Sequence, residues 1–134
     1  MRGAELEAEW SPTDRIALSA ALTWARGRVL DDDSFAADVP ARSAVLTVRH
    51  AFSEVLWGRL RARLVARDDE PGPTEIITPG YSVLDLSAGF DVSRTFEVVV
   101  SGSNLFDERY PVSADVDAPL APGRSAAISL QARW

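Results

Sequence analysis

The feature that most constrains the fold of this chain is a repeat of period two, in which bulky apolar side chains alternate with small or polar ones. Between positions 15 and 25 the even positions carry Ile16, Leu18, Ala20, Leu22 and Trp24, whereas the odd positions carry only Arg, Ala, Ser and Thr. Successive side chains of a β-strand point to opposite faces of a sheet. The pattern therefore predicts a strand with one apolar face.

Six further segments alternate in the same way. They cover approximately residues 4–10, 43–52, 59–67, 84–91, 96–103 and 125–134. The polar positions of two of these segments are heavily charged and carry Glu5, Glu7 and Glu9, and Arg59, Arg61 and Arg63. The sequence thus predicts an all-β fold, an antiparallel up-and-down meander of about seven strands.

The connections between these segments alternate between short and long. Short ones lie near residues 11–14, 53–54 and 93–95, and long ones run roughly over residues 30–40, 69–80 and 111–123. Short turns at one end and long loops at the other are typical of a transmembrane β-barrel. With a periplasmic C-terminus, every short turn is periplasmic, and Trp10 and Trp134 fall in an aromatic girdle near that edge.

Composition and charge exclude several other functions. The net charge is -6, with 20 acidic and 14 basic residues, so no nucleic-acid partner is expected. The chain has no Cys, and its single histidine, His50, lies in the apolar register without a facing nucleophile. We therefore expect no catalytic residues, no cofactor and no metal site. No apolar run approaches the roughly 20 residues of a membrane-spanning helix.

The end of the chain resembles the last strands of TonB-dependent receptors. The residues that carry this resemblance are Asn104, Leu105, Phe106, Asp107 and Tyr110, then Pro122, Gly123 and Arg124, and finally Trp134. The segment TPGYSVLDLSAGF resembles the preceding strand of that family, so the specific likeness covers about the last 55 residues. Earlier residues match the family in pattern only.

This resemblance implies a location in the outer membrane of a Gram-negative bacterium and a role in energised uptake of a scarce ligand, a ferric siderophore or cobalamin. The implied partners are membrane lipid, the barrel assembly machinery, which would read the strand ending in Trp134, and, in a full-length receptor, a plug domain and a TonB-type energising protein. The family's barrel has about 22 strands. Residues 1–134 are therefore expected to be a C-terminal barrel fragment without a plug, and the start MRGAELEAEW does not resemble a signal peptide.

The candidate site residues each have two interpretations. Glu5, Glu7, Glu9, Arg59, Arg61 and Arg63 are expected to face the lumen, either as hydrated or paired barrel-wall charges or as contacts to a plug or an anionic siderophore. Asn104, Asp107 and Tyr110 are expected to form hydrogen bonds at strand ends rather than to recognise a ligand. Two other assignments stay open at this point, a soluble β-sandwich binding module and a fragment of a passive porin.

Overall fold

The fold is a meander of seven β-strands, as seen in a computed structural model that describes residues 1–31 and 33–133. The strands are β1 (Arg2–Thr13), β2 (Ile16–Arg26), β3 (Ser43–Ala51), β4 (Leu56–Val65), β5 (Tyr81–Asp91), β6 (Phe96–Ser103) and β7 (Ser125–Ala132). In these two ranges no helix has the length and apolar character needed to span a bilayer. The predicted all-β class and strand number are confirmed.

All seven strands belong to one sheet. Their order in the sheet follows their order in the sequence, and every neighbouring pair is antiparallel. Within the described residues the sheet does not close on itself, so β1 pairs only with β2 and β7 only with β6. The up-and-down topology is the predicted one, and it puts the three short turns at one end of the sheet and the three long loops at the other.

The three short turns share one hydrogen-bonding pattern. The hydroxyls of Thr13, Ser53 and Ser93 each accept backbone N–H groups from the residues two and three positions later, at 3.1–3.3 Å. This is the side-chain turn that Ser and Thr favour. It gives each hairpin a defined reversal, so that the following strand starts in the correct register.

The long loops are longer than the sequence predicts. They occupy residues 27–42, 66–80 and 104–124, because residues between the predicted alternating segments and the predicted loops also belong to the loops. At the end of β2 the chain packs closely on the following loop, and a Cβ added to Gly27 would lie 2.8 Å from the Ala36 methyl group. There the chain is hydrogen-bonded to its own loop, since the N–H of Ala36 donates to the carbonyl of Gly27 at 3.1 Å.

The apolar face of the sheet is exposed. Its large side chains include Leu22, Leu46, Leu60, Leu86 and Val100, all between 40% and 48% exposed. The buried strand residues Val83, Ser87 and Glu97 lie on the opposite face. A β-sandwich would bury its apolar face against a second sheet. The described residues form no second sheet, so the sandwich assignment is wrong for this chain.

Candidate functional site

The six charged residues expected to face the lumen share one face of the sheet. The register joins Glu7 through Ala21 and Val45 to Arg63, and directly paired positions point to the same side. The glutamates lie on β1 and the arginines on β4, three strand spacings or about 14 Å apart. Among the described residues none of the six forms an ion pair with another.

Basic residues on β3 and β4 form a continuous band on this polar face. Arg49 lies directly opposite Arg59, and Arg61 lies opposite Asp85. The carboxylate of Asp85 accepts the backbone N–H of Asn104 at 2.9 Å. The polar face therefore has an acidic edge at β1 and a basic centre at β4, separated by the small side chains of β2.

An aromatic cluster lies at the loop end of the basic band. The rings of Tyr81 and Tyr110 are stacked, with centroids 4.0 Å apart and planes 15° apart. Arg63 donates a hydrogen bond of 2.5 Å to the Tyr110 hydroxyl, and its guanidinium lies 5.7 Å and 5.3 Å from the centroids of the two rings. The cation is held by both aromatic faces and by the hydroxyl, so its position is fixed.

A cavity of about 420 Å³ opens beside this cluster, between the three long loops. Its lining is Asp38, Val39, Pro40, Ala41, Ser43, Arg63, Val65, Asp68, Glu75, Thr78, Tyr81, Pro111, Val112, Ser113, Ala114 and Asp115. The volume is that of a small-molecule site. Apolar walls, a stacked tyrosine and several carboxylates are the groups a ligand would meet there.

The loops around the cavity are joined through Glu75. Its two carboxylate oxygens accept the backbone N–H groups of Asp38 and Gly72 at 2.8 Å and 2.6 Å, respectively. The N–H of Ile76 donates to the carbonyl of Ala114 at 2.9 Å. Loop 66–80 is therefore bonded to the loops on both sides of it. Sequence reasoning missed Glu75, because nothing in its local pattern distinguishes it from other loop acids.

The first loop has its own ion pair. The guanidinium of Arg28 lies 2.7 Å from the carboxylate of Asp33 and 5.0 Å from the ring centroid of Phe35. The hydrogen bond to Asp33 and the charge of that carboxylate raise the pKa of Arg28. Asp33 has a positive φ of 58°, a backbone conformation that aspartate adopts more readily than most residues.

Most of the motif residues at the end of the chain meet at the end of β6. The amide of Asn104 accepts the N–H of Glu108 at 2.9 Å and donates to the carbonyls of Glu108 and Pro122 at 2.9 Å and 3.3 Å. Asp107 accepts the N–H of Arg124 at 2.8 Å. A Cβ at Gly123 would lie 2.6 Å from that carboxylate, so a larger residue would displace the Asp107 side chain. The motif joins both ends of loop 104–124.

The remaining motif and girdle residues have separate positions. Leu105 donates its N–H to Leu84 at 2.9 Å, and Phe106 is exposed. Trp10 is exposed on the apolar face near the turn end of β1. Trp134 lies outside the described residues.

A second polar cluster lies at the turn end of the same face and was not predicted. It consists of Trp57, Glu97, Asp91, Arg133 and Arg49, around a cavity of about 260 Å³. Arg133 pairs with Glu97 and Asp91, and Glu97 is 3% exposed. The sequence does contain one indication, since Trp57 falls in the polar register of β4, where a large aromatic side chain is unusual.

Comparison with known proteins gives matches for both the sequence and the fold. The family described as TonB dependent receptor-like, beta-barrel, matches residues 1–105. The match covers β1 to β6 and the first two motif residues, Asn104 and Leu105, so it includes the part of the chain whose resemblance was one of pattern alone. The comparison with curated proteins gave no match.

Solved structures of the same architecture include the copper transporter OprC, at 20% identity and a TM-score of 0.84 over 96% of this chain and 22% of that one. The ferric yersiniabactin uptake receptor FyuA from Yersinia pestis matches at 24% identity with a TM-score of 0.80, and the match covers 98% of this chain and 23% of FyuA. The siderophore receptor PiuA from Acinetobacter baumannii matches at 22% identity with a TM-score of 0.74, and the match covers 96% of this chain and 21% of PiuA.

This chain spans about a fifth of the length of those structures. The match to the family covers well over half of the chain, and the seven-stranded open sheet superposes on part of a receptor barrel. The chain therefore belongs to the TonB-dependent receptor family, as part of the β-barrel.

Proposed function

We propose that residues 1–134 are the C-terminal part of the barrel wall of an outer-membrane receptor that takes up a scarce ligand, a ferric siderophore or cobalamin. TonB-dependent receptors are a family of the Gram-negative outer membrane. In the full receptor a plug domain and a TonB-type protein would supply gating and energy. The barrel assembly machinery would recognise the strand that ends in Trp134.

The exposed apolar face carries this proposal. A sheet with one apolar, unburied face and one charged face suits a wall between lipid and a water-filled lumen. In this arrangement Leu60 contacts lipid, whereas its neighbour Arg61 stays hydrated inside. Trp10 lies at the turn end of the apolar face, where an aromatic girdle meets the membrane interface.

The cavity between the long loops is the proposed point of contact with the ligand. It lies on the polar face at the loop end, which is the extracellular side in this orientation. Arg63 and Tyr81 offer a fixed cation and an aromatic surface there. The neighbouring structures are a copper transporter, a siderophore receptor and a ferric yersiniabactin uptake receptor. A shared fold does not select among cargoes, because selection depends on the site.

The orientation is tested with two single-cysteine variants, since the chain has no cysteine of its own. Leu60→Cys and Arg61→Cys are made in the protein as its gene encodes it and are treated in outer membranes with a water-soluble maleimide. Labelling at position 61 but not at 60 is expected. Equal labelling at both positions would contradict the assignment of this sheet to a barrel wall with one face in lipid.

The transport role is tested by uptake. Cells with and without the gene are compared for accumulation of radiolabelled ferric siderophores and of cobalamin, in the presence and absence of a protonophore. Gene-dependent accumulation that stops when the proton gradient collapses is expected for an energised receptor. Accumulation that the protonophore does not change would instead indicate passive diffusion, as through a porin.

A further inference from the structure

A shallow groove crosses the apolar face near its loop end. Its volume is about 460 Å³, and its lining includes Leu22, Trp24, Arg42, Ala44, Leu64 and Ala66. The register explains its shape, because Leu22, Ala44 and Leu64 occupy one row across β2, β3 and β4. The alanine forms a low floor between two leucine walls.

Arg42 lies at the loop end of this groove. Its side chain is exposed, and its carbonyl accepts the N–H of Ala66 at 2.8 Å, which continues the β3–β4 ladder and fixes its backbone. Position 42 immediately precedes Ser43, the first paired residue of β3, so by alternation it belongs to the apolar face together with Trp24 and Ala66. A cation and a tryptophan thus lie side by side at the end of an apolar channel.

The charge of Arg42 is not neutralised within the described part of the chain. The neighbouring arginines differ, because Arg26 pairs with Glu70 and Arg67 with Asp69. An arginine fork binds a phosphate through two parallel hydrogen bonds. A charged side chain at the rim of a lipid-facing surface is stabilised when it reaches an anionic group at the membrane interface.

We propose that this groove binds a membrane lipid with an anionic phosphate headgroup, with one acyl chain lying over Ala44 between Leu22 and Leu64 and the phosphate at Arg42. The positive charge of Arg42 favours an anionic headgroup. The groove is one row of side chains wide, so it accommodates a single acyl chain. The proposal rests on the assignment of the apolar face to lipid. It adds a specific lipid site to that face.

The test uses the protein as its gene encodes it, folded into phosphatidylcholine vesicles that contain a minor share of phosphatidylglycerol. In each sample only one of the two lipids carries brominated acyl chains, which quench tryptophan fluorescence on contact. The contribution of Trp24 to the quenching is obtained by subtracting the signal of the Trp24→Phe variant. Brominated phosphatidylglycerol is expected to be enriched at Trp24 by about five-fold over its share of the bilayer, the factor that one interfacial cation supplies.

Three variants locate the effect. Arg42→Gln is expected to abolish the enrichment, and Ala44→Leu, which fills the floor but keeps the charge, is expected to reduce it. Arg67→Gln is the matched control, because that arginine is nearby but paired, and it is expected to keep the enrichment. Enrichment that persists in Arg42→Gln, or that falls equally in Arg42→Gln and Arg67→Gln, would overturn the proposal.

Three further outcomes are distinguishable. If inorganic phosphate added to the buffer removes the enrichment, the site binds a free anion and the lipid assignment is wrong. If neither brominated lipid quenches Trp24, the apolar face does not contact lipid, and the proposed orientation fails together with the groove. Quenching by each lipid in proportion to its share of the bilayer contradicts the groove alone.

Discussion

The indole Nε1 of Trp57 donates a hydrogen bond of 2.6 Å to Oε1 of Glu97, although the two residues lie on strands separated by a third. The indole reaches across β5 because its direct partner there is Gly89, which has no side chain. Arg49 covers the ring at 4.8 Å from its centroid. This contact joins β4 to β6 at the turn end of the polar face.

Replacing Trp57 by Phe should lower the free energy of unfolding by about 2 kcal/mol, because the buried carboxylate of Glu97 loses a charge-assisted hydrogen bond. Urea titration of the folded chain in detergent micelles measures the change. Arg94→Ala, in the exposed turn between β5 and β6, is the control and should change stability little. No difference between the two variants would mean that the hydrogen bond is dispensable.

Gly89→Ala should lower the stability by about 2 kcal/mol through overpacking. A methyl group at this position would overlap the indole of Trp57. The ring would then have to move away from Glu97. The double variant with Trp57→Phe should therefore lose less than the sum of the two single losses, and strict additivity would argue against this coupling.

Asn104→Ala should lower the stability by about 3 kcal/mol, because it removes three side-chain hydrogen bonds and leaves a non-glycine residue in left-handed backbone geometry. The φ of Asn104 is 51° and its side chain is buried. Asn104→Gly removes the backbone penalty, so its free energy of unfolding should be about 1 kcal/mol higher than that of Asn104→Ala. Equal losses in the same urea titration would show that φ does not contribute.

Glu75→Ala should release the first loop from the second. The amide hydrogens of Asp38 and Gly72 lose their acceptor and should exchange with solvent at least about ten-fold faster, as expected when about 1.4 kcal/mol of protection is lost. Hydrogen exchange followed by mass spectrometry checks this. Asp117→Ala, in the third loop, is the control. Unchanged exchange at Asp38 would contradict the bridging role of Glu75.

Leu60→Lys should lower the stability of the membrane-inserted chain by about 2–4 kcal/mol, the cost of a charge on the lipid face near the middle of the bilayer. Arg61→Lys, one residue along on the polar face, keeps its charge in water and should have little effect. Unfolding from vesicles compares the two. Similar losses at both positions would mean that the two faces do not have different surroundings.

Much of the fold could be predicted because strand alternation is local. Whether Leu22 or Thr23 points to the apolar face depends only on the two-residue repeat, so the strands, their faces and the meander follow from the sequence. The hydroxyl turns at Thr13, Ser53 and Ser93 are equally local. The loop boundaries were less accurate, since a strand ends where its neighbour stops pairing rather than where its own pattern fades.

The contacts of the candidate sites depended on tertiary structure. Glu97 meets Trp57, Glu75 meets Asp38 and Tyr81 meets Tyr110 only after the register of several strands is set, and each pair is far apart in sequence. The sequence determined which side chains share a face, because alternation is built into the backbone. The structure alone decided which of them touch, because contact across a sheet depends on register, strand spacing and the small residues between.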